Sequence, residues 1–384
     1  MGIQGSLWMY QVEWKKTPKR ALGINLGITG PGLETFEEHL TYIENAKKFG
    51  FSELRMPIEA TNKKRSSYAK IIFNLEAVTE IISKAKRLGI NTTLEINPEI
   101  DEKVGASSDN LKPYAETNVS CIRPDTDLGY TPKELAQMTN NPYDLKIGVN
   151  ASPANVDLIL AEMGKYNAKF ERIVGWFNQF PHPESGLSMS TLVRNAQEFK
   201  KYGLEVRCNI GFRSTVERHK RLSLARAAEE IFATRVIDCP FVTGVATQND
   251  MKELKTIIDR DSMKIRIETV PEITELERKI AFEGVHINRI DASERIVRSQ
   301  LYRGTEVPQN NTLKRSKYTV TIDNHLLSHY SGELIINLVD LPADKRFNVV
   351  GSVIEEDQNL VGVIGPACKF ILEESSQASH TPCT

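Results

Sequence analysis

Short apolar runs that end in polar residues alternate with amphipathic stretches eight times between Arg20 and Arg260. The first run, "RALGINLGI", precedes the helix-like "TFEEHLTYIENAKKFG", in which Thr35 is a candidate N-cap and Gly50 a candidate end. Glycine again separates a helical stretch from the next apolar run at Gly89 and Gly203, where a left-handed cap would reverse the chain. Parallel strands need helical crossovers, so this pattern predicts an α/β fold, a (β/α)8 TIM barrel over residues 20–265.

A doubly wound open sheet is the alternative architecture for the same alternation. Such a sheet usually carries a glycine-rich phosphate loop after its first strand. The stretch "GITGPG" from Gly27 to Gly32 lacks the GxGxxG spacing and is interpreted as a turn. The barrel is therefore favoured.

The remainder of the chain changes to short strands separated by turn residues, such as "KYTVTIDN", "GELIINLV" and "FNVVGSVI". This pattern predicts a small all-β domain over residues 302–374. Residues 266–301 would bridge the two domains. Residues 1–19 are interpreted as a leader and residues 375–384 as a flexible tail.

The bulk composition excludes several classes of function. A formal net charge of −1 gives no general attraction for nucleic acid or for an anionic membrane. No apolar run reaches the length of a bilayer span, and the N-terminus lacks a secretory pattern, although Gly2 and Ser6 fit a myristoylation motif. Five scattered cysteines indicate reduced thiols in a reducing compartment. Histidine and cysteine spacings imply no metal, and no motif implies a cofactor.

Polar residues stand at the predicted carboxyl ends of almost every barrel strand, where TIM barrels build their active sites. Asparagine is frequent among them, and its amide suits the hydroxyl and amide groups of a sugar. The strand ends and the residues just beyond them supply Asn25, Glu59, Glu95, Asn97, Arg123, Asp125, Asp127, Asn150, Asn178, Asn209, Thr243 and Thr247. No strand end offers the lysine that an aldolase of this fold usually requires.

Two of these carboxylates lie on consecutive strands. Glycoside hydrolysis needs one carboxylic acid to protonate the leaving oxygen and one carboxylate to attack or stabilise the anomeric carbon. Glu95 and Asp125 follow strands three and four, which would lie about 4.8 Å apart. The pair is therefore the candidate catalytic set, with its roles undetermined. The alternative is that either carboxylate caps a loop or pairs with Arg123.

The connection after strand six, "VGWFNQFPHPESGLS", combines aromatic residues, prolines and polar residues within a short segment. Strand alternation places Trp176, Asn178 and Phe180 on one face and Phe177 on the other. Trp176 could stack on a sugar ring beside the Asn178 amide, with Glu184 as a further candidate contact. Packing against the barrel helices is the alternative for the aromatic residues. Ser188 or Ser190 is expected to cap the following helix.

Several segments in fixed order resemble the bacterial 6-phospho-N-acetylmuramidases along nearly the whole chain. They are "TLEINP", "CIRPD", "KIGVNAS", "GWFNQFPHPESGLS", "HINRIDASERIVRS" and "TIDN…SHYSGELII…DLP…RFNVVG". The resemblance implies a barrel followed by a cyclophilin-like β domain. It also implies a cytoplasmic glycosidase of peptidoglycan recycling that cleaves a disaccharide of N-acetylmuramic acid 6-phosphate and N-acetylglucosamine. Oligomeric state, including a homodimer, is left open.

The resemblance also implies roles for individual residues. Glu95 stands where the family usually has Asp, Asp125 matches its acid, and Asn150 matches its Asn-Ala-Ser asparagine. Asn178 matches a His-Asn pair in which Phe177 replaces the histidine. The run His286, Asn288 and Arg289 matches a His-x-Asn-Arg motif, and Arg289 with Arg123 or Arg298 would clamp a phosphate.

Two loops depart from the family pattern, at residues 212–226 after strand seven and at residues 243–250 after strand eight. In the first, only "ERH" from Glu217 to His219 resembles the family. A second hypothesis follows from these departures, a non-catalytic sugar-phosphate binding or regulatory protein that has kept the pocket.

Overall fold

The computed structural model describes residues 20–26, 35–57, 75–125 and 129–375. The predicted leader with Gly2, the tail beyond Ser375, Glu59, Asp127 and Cys383 lie outside these residues. Within them the chain forms two compact units, which divide between Asp259 and Arg260.

Eight parallel strands close the first unit into a barrel in sequence order, which confirms the predicted architecture. The strands are β1 Gly23–Asn25, β2 Glu53–Pro57, β3 Asn91–Ile96, β4 Cys121–Pro124, β5 Lys146–Asn150, β6 Ile173–Trp176, β7 Glu205–Gly211 and β8 Cys239–Thr243. Strand β1 pairs with both β2 and β8, which closes the ring.

Helices follow the barrel strands as the alternation predicts. They are α1 Phe36–Lys48, α2 Leu75–Arg87, α3 Pro98–Val104, α4 Lys112–Ala115, α5 Pro132–Thr139, α6 Val156–Lys165, α7 Met189–Lys200, α8 Leu224–Ala233 and α9 Gln248–Ile258. The predicted caps form: Thr35 and Thr131 each begin a helix with a capping box, and Ser188 accepts the Thr191 N–H at 3.1 Å. Gly50, Gly89 and Gly203 adopt the left-handed conformation.

The barrel interior holds a small apolar cluster of Val174, Trp176, Cys239 and Phe241. The Trp176 ring lies 4.6 Å from that of Phe241. A Cβ at Gly148 would lie 2.8 Å from the indole, so this glycine makes room for the large ring. The larger apolar core lies outside the ring of strands, where helices cover it.

The second unit is a mixed seven-stranded sheet in the order β10–β15–β9–β14–β12–β13–β11. Its strands are β9 Met263–Thr269, β10 His286–Ile287, β11 Ile296–Ser299, β12 Thr319–Asp323, β13 Leu334–Asn337, β14 Phe347–Val353 and β15 Lys369–Glu374. Two helices, α10 Glu275–Phe282 and α11 Gln358–Val361, accompany the sheet.

The sheet corrects the predicted domain boundaries. Strand β9 lies in the middle of the second sheet, pairing with β14 and β15, although the sequence placed its first residues in the barrel. Strands β10 and β11 also belong to this sheet, so residues 266–301 are part of the second domain and do not bridge two domains.

Candidate functional site

Glu95 is the centre of a charged network at the carboxyl ends of the barrel strands. Its strand β3 is paired with β4 so that Glu95 stands beside Arg123. The Glu95 Oε1 atom accepts hydrogen bonds from Nη2 of Arg55 and from Nη1 of Arg123. Glu95 keeps 21% of its side chain exposed, whereas the two arginine side chains are buried. The carboxylate is therefore the open side of this network.

The two guanidinium groups determine the charge state of Glu95. Burial by itself would raise the pKa of Glu95, but the charges and hydrogen bonds of Arg55 and Arg123 outweigh it and hold the pKa below its ordinary value. Glu95 is thus an ionised carboxylate at neutral pH. The sequence left open that one of the candidate carboxylates pairs with Arg123, and Glu95 forms this pair.

Asparagines extend the network to strands β1 and β6. Arg55 Nη1 donates to Asn25 Oδ1 at 2.9 Å, and Asn25 Nδ2 donates to the Val242 carbonyl at 2.7 Å. Arg123 Nη2 donates to Asn178 Oδ1. Polar groups from neighbouring and opposite strands are thereby fixed around one carboxylate.

Asp125 follows β4 directly, two residues beyond Arg123. Its backbone N–H donates to the Ile96 carbonyl at 2.9 Å, which continues the β3–β4 pairing past the strand end. Burial lowers the pKa of Arg55, while the negative charges of Glu95 and Asp125 act in the opposite direction. Asp125, whenever it is ionised, therefore interacts with the same arginine that holds Glu95.

Asn150 and Asn97 also stand at strand ends, and both have local contacts. Asn150 Oδ1 accepts the Ser152 N–H at 3.0 Å, and Ser152 Oγ accepts the Asn178 N–H at 2.7 Å. Asn97 Oδ1 accepts the Ile100 N–H at 3.0 Å and caps α3. These asparagines shape the loops after β3 and β5.

Trp176 does not have the exposed ring that stacking on a sugar would require. The side chain is 0% exposed, beside Phe241 and within 5.5 Å of the Arg55 and Arg207 guanidinium carbons. Trp176 lies in the apolar cluster of the barrel interior, on the side that alternation predicts, and its contact with a sugar stays a prediction. Phe177 is buried in the separate outer core, so its difference from the family falls in apolar packing.

The loop containing Glu184 is held by a second carboxylate. Glu217 Oε1 accepts the Glu184 N–H at 2.9 Å, and Oε2 accepts the Gly186 N–H at 2.6 Å. Glu184 itself is exposed in the left-handed conformation, with φ of 63°. Leu187 and Val216 form a parallel bridge, so the loop after β6 is paired to the loop after β7.

The other two residues of the "ERH" motif, Arg218 and His219, contact helix α8. Arg218 Nε and His219 Nε2 lie 2.8 and 2.9 Å from Glu230 Oε2, which is on α8. Burial lowers the pKa of His219 and outweighs the opposing effect of Glu230. Residues 217–219 therefore contact both α8 and the loop after β6.

The predicted run His286, Asn288 and Arg289 belongs to the second unit. His286 is fully buried, with Nδ1 2.9 Å from Ser299 Oγ and Nε2 3.2 Å from the Ala281 carbonyl. Asn288 Oδ1 accepts the Arg298 N–H at 3.1 Å. These two side chains are held within the fold of that unit, Asn288 also lines a cavity there, and their predicted substrate contact stays a prediction. Arg289 remains partly exposed and donates to both oxygens of Asp291 at 2.6 and 2.7 Å.

Sequence reasoning missed Arg55 and Glu217. Arg55 lies inside the apolar run "ELRMPI", where alternation with Glu53 would have pointed it into the barrel. For Glu217 no local signal indicates the contact with the neighbouring loop. The described residues contain no cluster of three or more histidine, cysteine or acidic side chains that could hold a metal ion. None of the helices in the described ranges is long and apolar enough to cross a membrane.

Comparison with known proteins covers almost the entire chain. The family described as 6-phospho-N-acetylmuramidase, N-terminal, matches residues 29–256, and its C-terminal counterpart matches residues 263–373. A search of curated proteins finds no match.

Two solved structures share the fold. An uncharacterised B. cereus protein is 27% identical with a TM-score of 0.75, and the match covers 93% of this chain and 100% of that one. A conserved Enterococcus faecalis protein of unknown function is 25% identical with a TM-score of 0.63, covering 93% and 96% respectively.

Proposed function

Because the chain belongs to the 6-phospho-N-acetylmuramidase family of glycosidases, we propose that it hydrolyses the bond between N-acetylmuramic acid 6-phosphate and N-acetylglucosamine. The observation that carries this proposal is the Glu95 network at the barrel mouth. It combines one partly exposed carboxylate, a second acidic residue one strand away, and amides suited to sugar hydroxyls.

The charge state of Glu95 supports one assignment of the two carboxyl roles that the sequence left open. A general acid must hold a proton at the pH of the reaction, and two guanidinium groups keep Glu95 ionised. Glu95 therefore acts as the anion that attacks the anomeric carbon or stabilises its developing positive charge. Asp125 gives its proton to the leaving oxygen of N-acetylglucosamine, and water completes the hydrolysis.

Other residues of the mouth have binding roles in this proposal. Asn97, Arg123, Asn150 and Asn178 contact the sugars directly or through the loops they shape, and Glu184 borders the site on the loop after β6. The Nε atoms of Arg55 and Arg123 are buried and have no hydrogen-bond partner among the described residues. Two N–H donors near Glu95 are therefore not used by hydrogen bonds within that part of the chain. In the second unit, Arg289 is proposed to bind a phosphate group.

The cellular setting is part of the same proposal. The proposed product is consistent with a role in peptidoglycan recycling, and the thiols of Cys121, Cys208 and Cys239 fit the reducing cytoplasm. Burial raises the pKa of all three thiols and keeps them protonated. The second unit is proposed to be a cyclophilin-like module, and the partner is a small phosphorylated disaccharide rather than nucleic acid or membrane. A homodimer remains an open alternative.

Product analysis tests this function. The full chain is incubated with the phosphorylated disaccharide, and products are followed by mass spectrometry. We expect N-acetylmuramic acid 6-phosphate from the wild type and about 10²-fold or greater loss in Glu95→Gln and Asp125→Asn. Asp144→Asn is the matched control, because that exposed side chain precedes β5 at the other end of the barrel. Absence of product at high enzyme concentration, with sugar phosphate still bound, would favour the non-catalytic alternative.

A further inference from the structure

Three arginines of the second unit surround one buried carboxylate. Glu333 is 0% exposed. Its Oε2 atom lies 3.5 Å from Nε of Arg298, and its Oε1 atom lies 3.5 Å from Nε of Arg303. The charge of Glu333 also acts on Arg289. A buried carboxylate is costly unless it is compensated, so these contacts orient the arginines from the interior side.

Gln300 joins two of these arginines. Gln300 directly follows Ser299, which pairs with Leu334 at the end of the antiparallel β11–β13 pairing. In the amide orientation that satisfies its neighbours, Gln300 Oε1 accepts from Nη1 of Arg303 at 2.8 Å and from Nη1 of Arg289. The three arginines and two connecting side chains therefore form one network, here named the arginine cluster: Arg289, Arg298, Gln300, Arg303 and Glu333.

Arginine donors in this cluster exceed the acceptors that the protein supplies. Arg298 donates no side-chain hydrogen bond to any residue that the structure describes, and 28% of its side chain is exposed. Arg303 is 36% exposed and lies 4.6 Å from the Tyr330 ring centroid, and its Nε donates to the His329 carbonyl at 2.7 Å. Unused guanidinium donors at a partly exposed position are suited to an anion with several oxygens.

The local charge also favours an anion. Glu333 and Asp291 offset two of the three positive charges. The next acidic group, Asp323, is buried across the strand pair from Glu333, and burial followed by the charge of Glu333 raises its pKa to about 8. Asp323 is therefore mostly neutral at pH 7 and adds little negative charge.

A cavity of about 410 Å³ lies beside the cluster and includes Arg289 and Gln300 in its lining. Its volume falls within the range of small-molecule sites. The exposed side chains of Ile287 and Leu301 give the cavity an apolar wall next to its cationic side. An organic molecule that carries a phosphate group fits this combination better than an inorganic anion alone.

We propose that the arginine cluster is an anion site of the second unit that takes the phosphate group of a small phosphomonoester such as a sugar phosphate. The proposal rests on the proposed function for the phosphate contact of Arg289. It adds Arg303, Gln300 and Glu333 to the clamp of Arg289 and Arg298 that the family resemblance implies. Binding of phosphate at this site requires no turnover by Glu95 and Asp125.

Titration calorimetry of the full chain at pH 7 tests the site, with inorganic phosphate, glucosamine 6-phosphate and glucosamine as the three probes. We expect saturable binding of both phosphates, tighter for the sugar phosphate, and none for glucosamine. Arg298→Gln and Arg303→Gln each weaken phosphate binding about tenfold or more, because each removes a charge-assisted contact. Arg346→Gln is the matched control, since this arginine of the same unit is held by Asp344.

Three results would overturn the proposal. One is the absence of saturable phosphate binding, another is equal binding of glucosamine, and the third is unchanged affinity in both cluster variants. Arg123→Gln locates the binding: loss there with retention in the cluster variants would place the phosphate in the barrel instead. Glu95→Gln separates this proposal from the glycosidase function, because we expect it to abolish hydrolysis and leave phosphate binding unchanged. Thermal melting without ligand verifies that each variant is folded.

Discussion

Arg55 on β2 donates a hydrogen bond to the carboxylate of Glu95 on the neighbouring strand β3, and the same Glu95 oxygen accepts from Arg123 on β4. Three consecutive strands thus converge on one oxygen atom at the barrel mouth. This arrangement determines the protonation state of the candidate site and makes Arg55 a positioning residue for Glu95.

Removal of Arg55 is expected to change the pH profile. In Arg55→Gln, Glu95 loses one of two compensating cations, so burial raises its pKa. The acidic limb of kcat/KM then moves to higher pH, because a larger share of Glu95 is protonated at a given acidic pH. We expect kcat/KM at pH 7 to fall about 10–100-fold. Arg55→Lys keeps a cation and should restore much of the acidic limb; an unchanged limb in Arg55→Gln would contradict this role.

Glu217 is expected to act through the loop that it holds. In Glu217→Gln one amide oxygen replaces the two carboxylate oxygens that accept the Glu184 and Gly186 N–H groups. We expect KM to rise about 3–10-fold with a smaller change in kcat, and proteolysis of the loop to become faster. Glu198→Gln, which removes a helix-surface pair with Lys201, is the control. Wild-type kinetics and proteolysis in Glu217→Gln would show that the loop does not depend on this carboxylate.

Trp176 is expected to contribute to stability rather than to substrate affinity. In Trp176→Phe the smaller ring leaves a void in the barrel interior beside Phe241. We expect the free energy of unfolding to fall by about 1–3 kcal/mol, measured by denaturant titration, with KM changed less than about threefold. A large rise in KM at normal stability would restore the sugar-stacking role that the sequence predicted.

Asp323 is expected to make the second unit less stable as pH rises. Its folded-state pKa of about 8 lies above the ordinary value of 3.8, so the folded form binds the extra proton between these values. Stability is then greatest below the unfolded pKa and decreases towards pH 8, by up to about 1.4 kcal/mol per pH unit from this group.

Asp323→Asn removes this dependence and should stabilise the second unit at pH 8. The measurement is denaturant unfolding at pH 6 and pH 8 with probes specific to each unit. The barrel transition serves as the internal control. An equal decrease in wild type and Asp323→Asn would refute the assignment.

The fold was largely predictable because its signals are local. Strand-to-helix alternation recurs along the barrel, and Thr35, Thr131 and Ser188 cap helices as expected. The end of the barrel was not predictable in the same way. Strand β9 and helix α10 resemble one more strand-to-helix unit, and only pairing with β14 and β15, about a hundred residues away in sequence, assigns them to the second sheet.

The candidate site was predictable where it depends on strand ends. Parallel strands present their carboxyl ends together, so the sequence could place Glu95, Arg123, Asp125 and Asn178 at one end of the barrel. Alternation predicts on which side of a strand a side chain lies, but not how deep it lies along the barrel axis. Trp176 was therefore predicted at the mouth, although it lies in the interior. The partners of Glu333 depend on the register of two strands and on a loop, which no local pattern specifies.

Leaving-group dependence tests the assignment of Asp125 as proton donor and Glu95 as anion most directly. The measurement compares kcat/KM for the natural disaccharide with that for an aryl glycoside of N-acetylmuramic acid 6-phosphate, whose phenolate leaves without protonation. We expect Asp125→Asn to be about 10²-fold or more impaired on the disaccharide and near wild type on the aryl glycoside, and Glu95→Gln to be impaired on both. Rescue of Glu95→Gln by the aryl glycoside, with Asp125→Asn impaired on both substrates, would contradict the assignment.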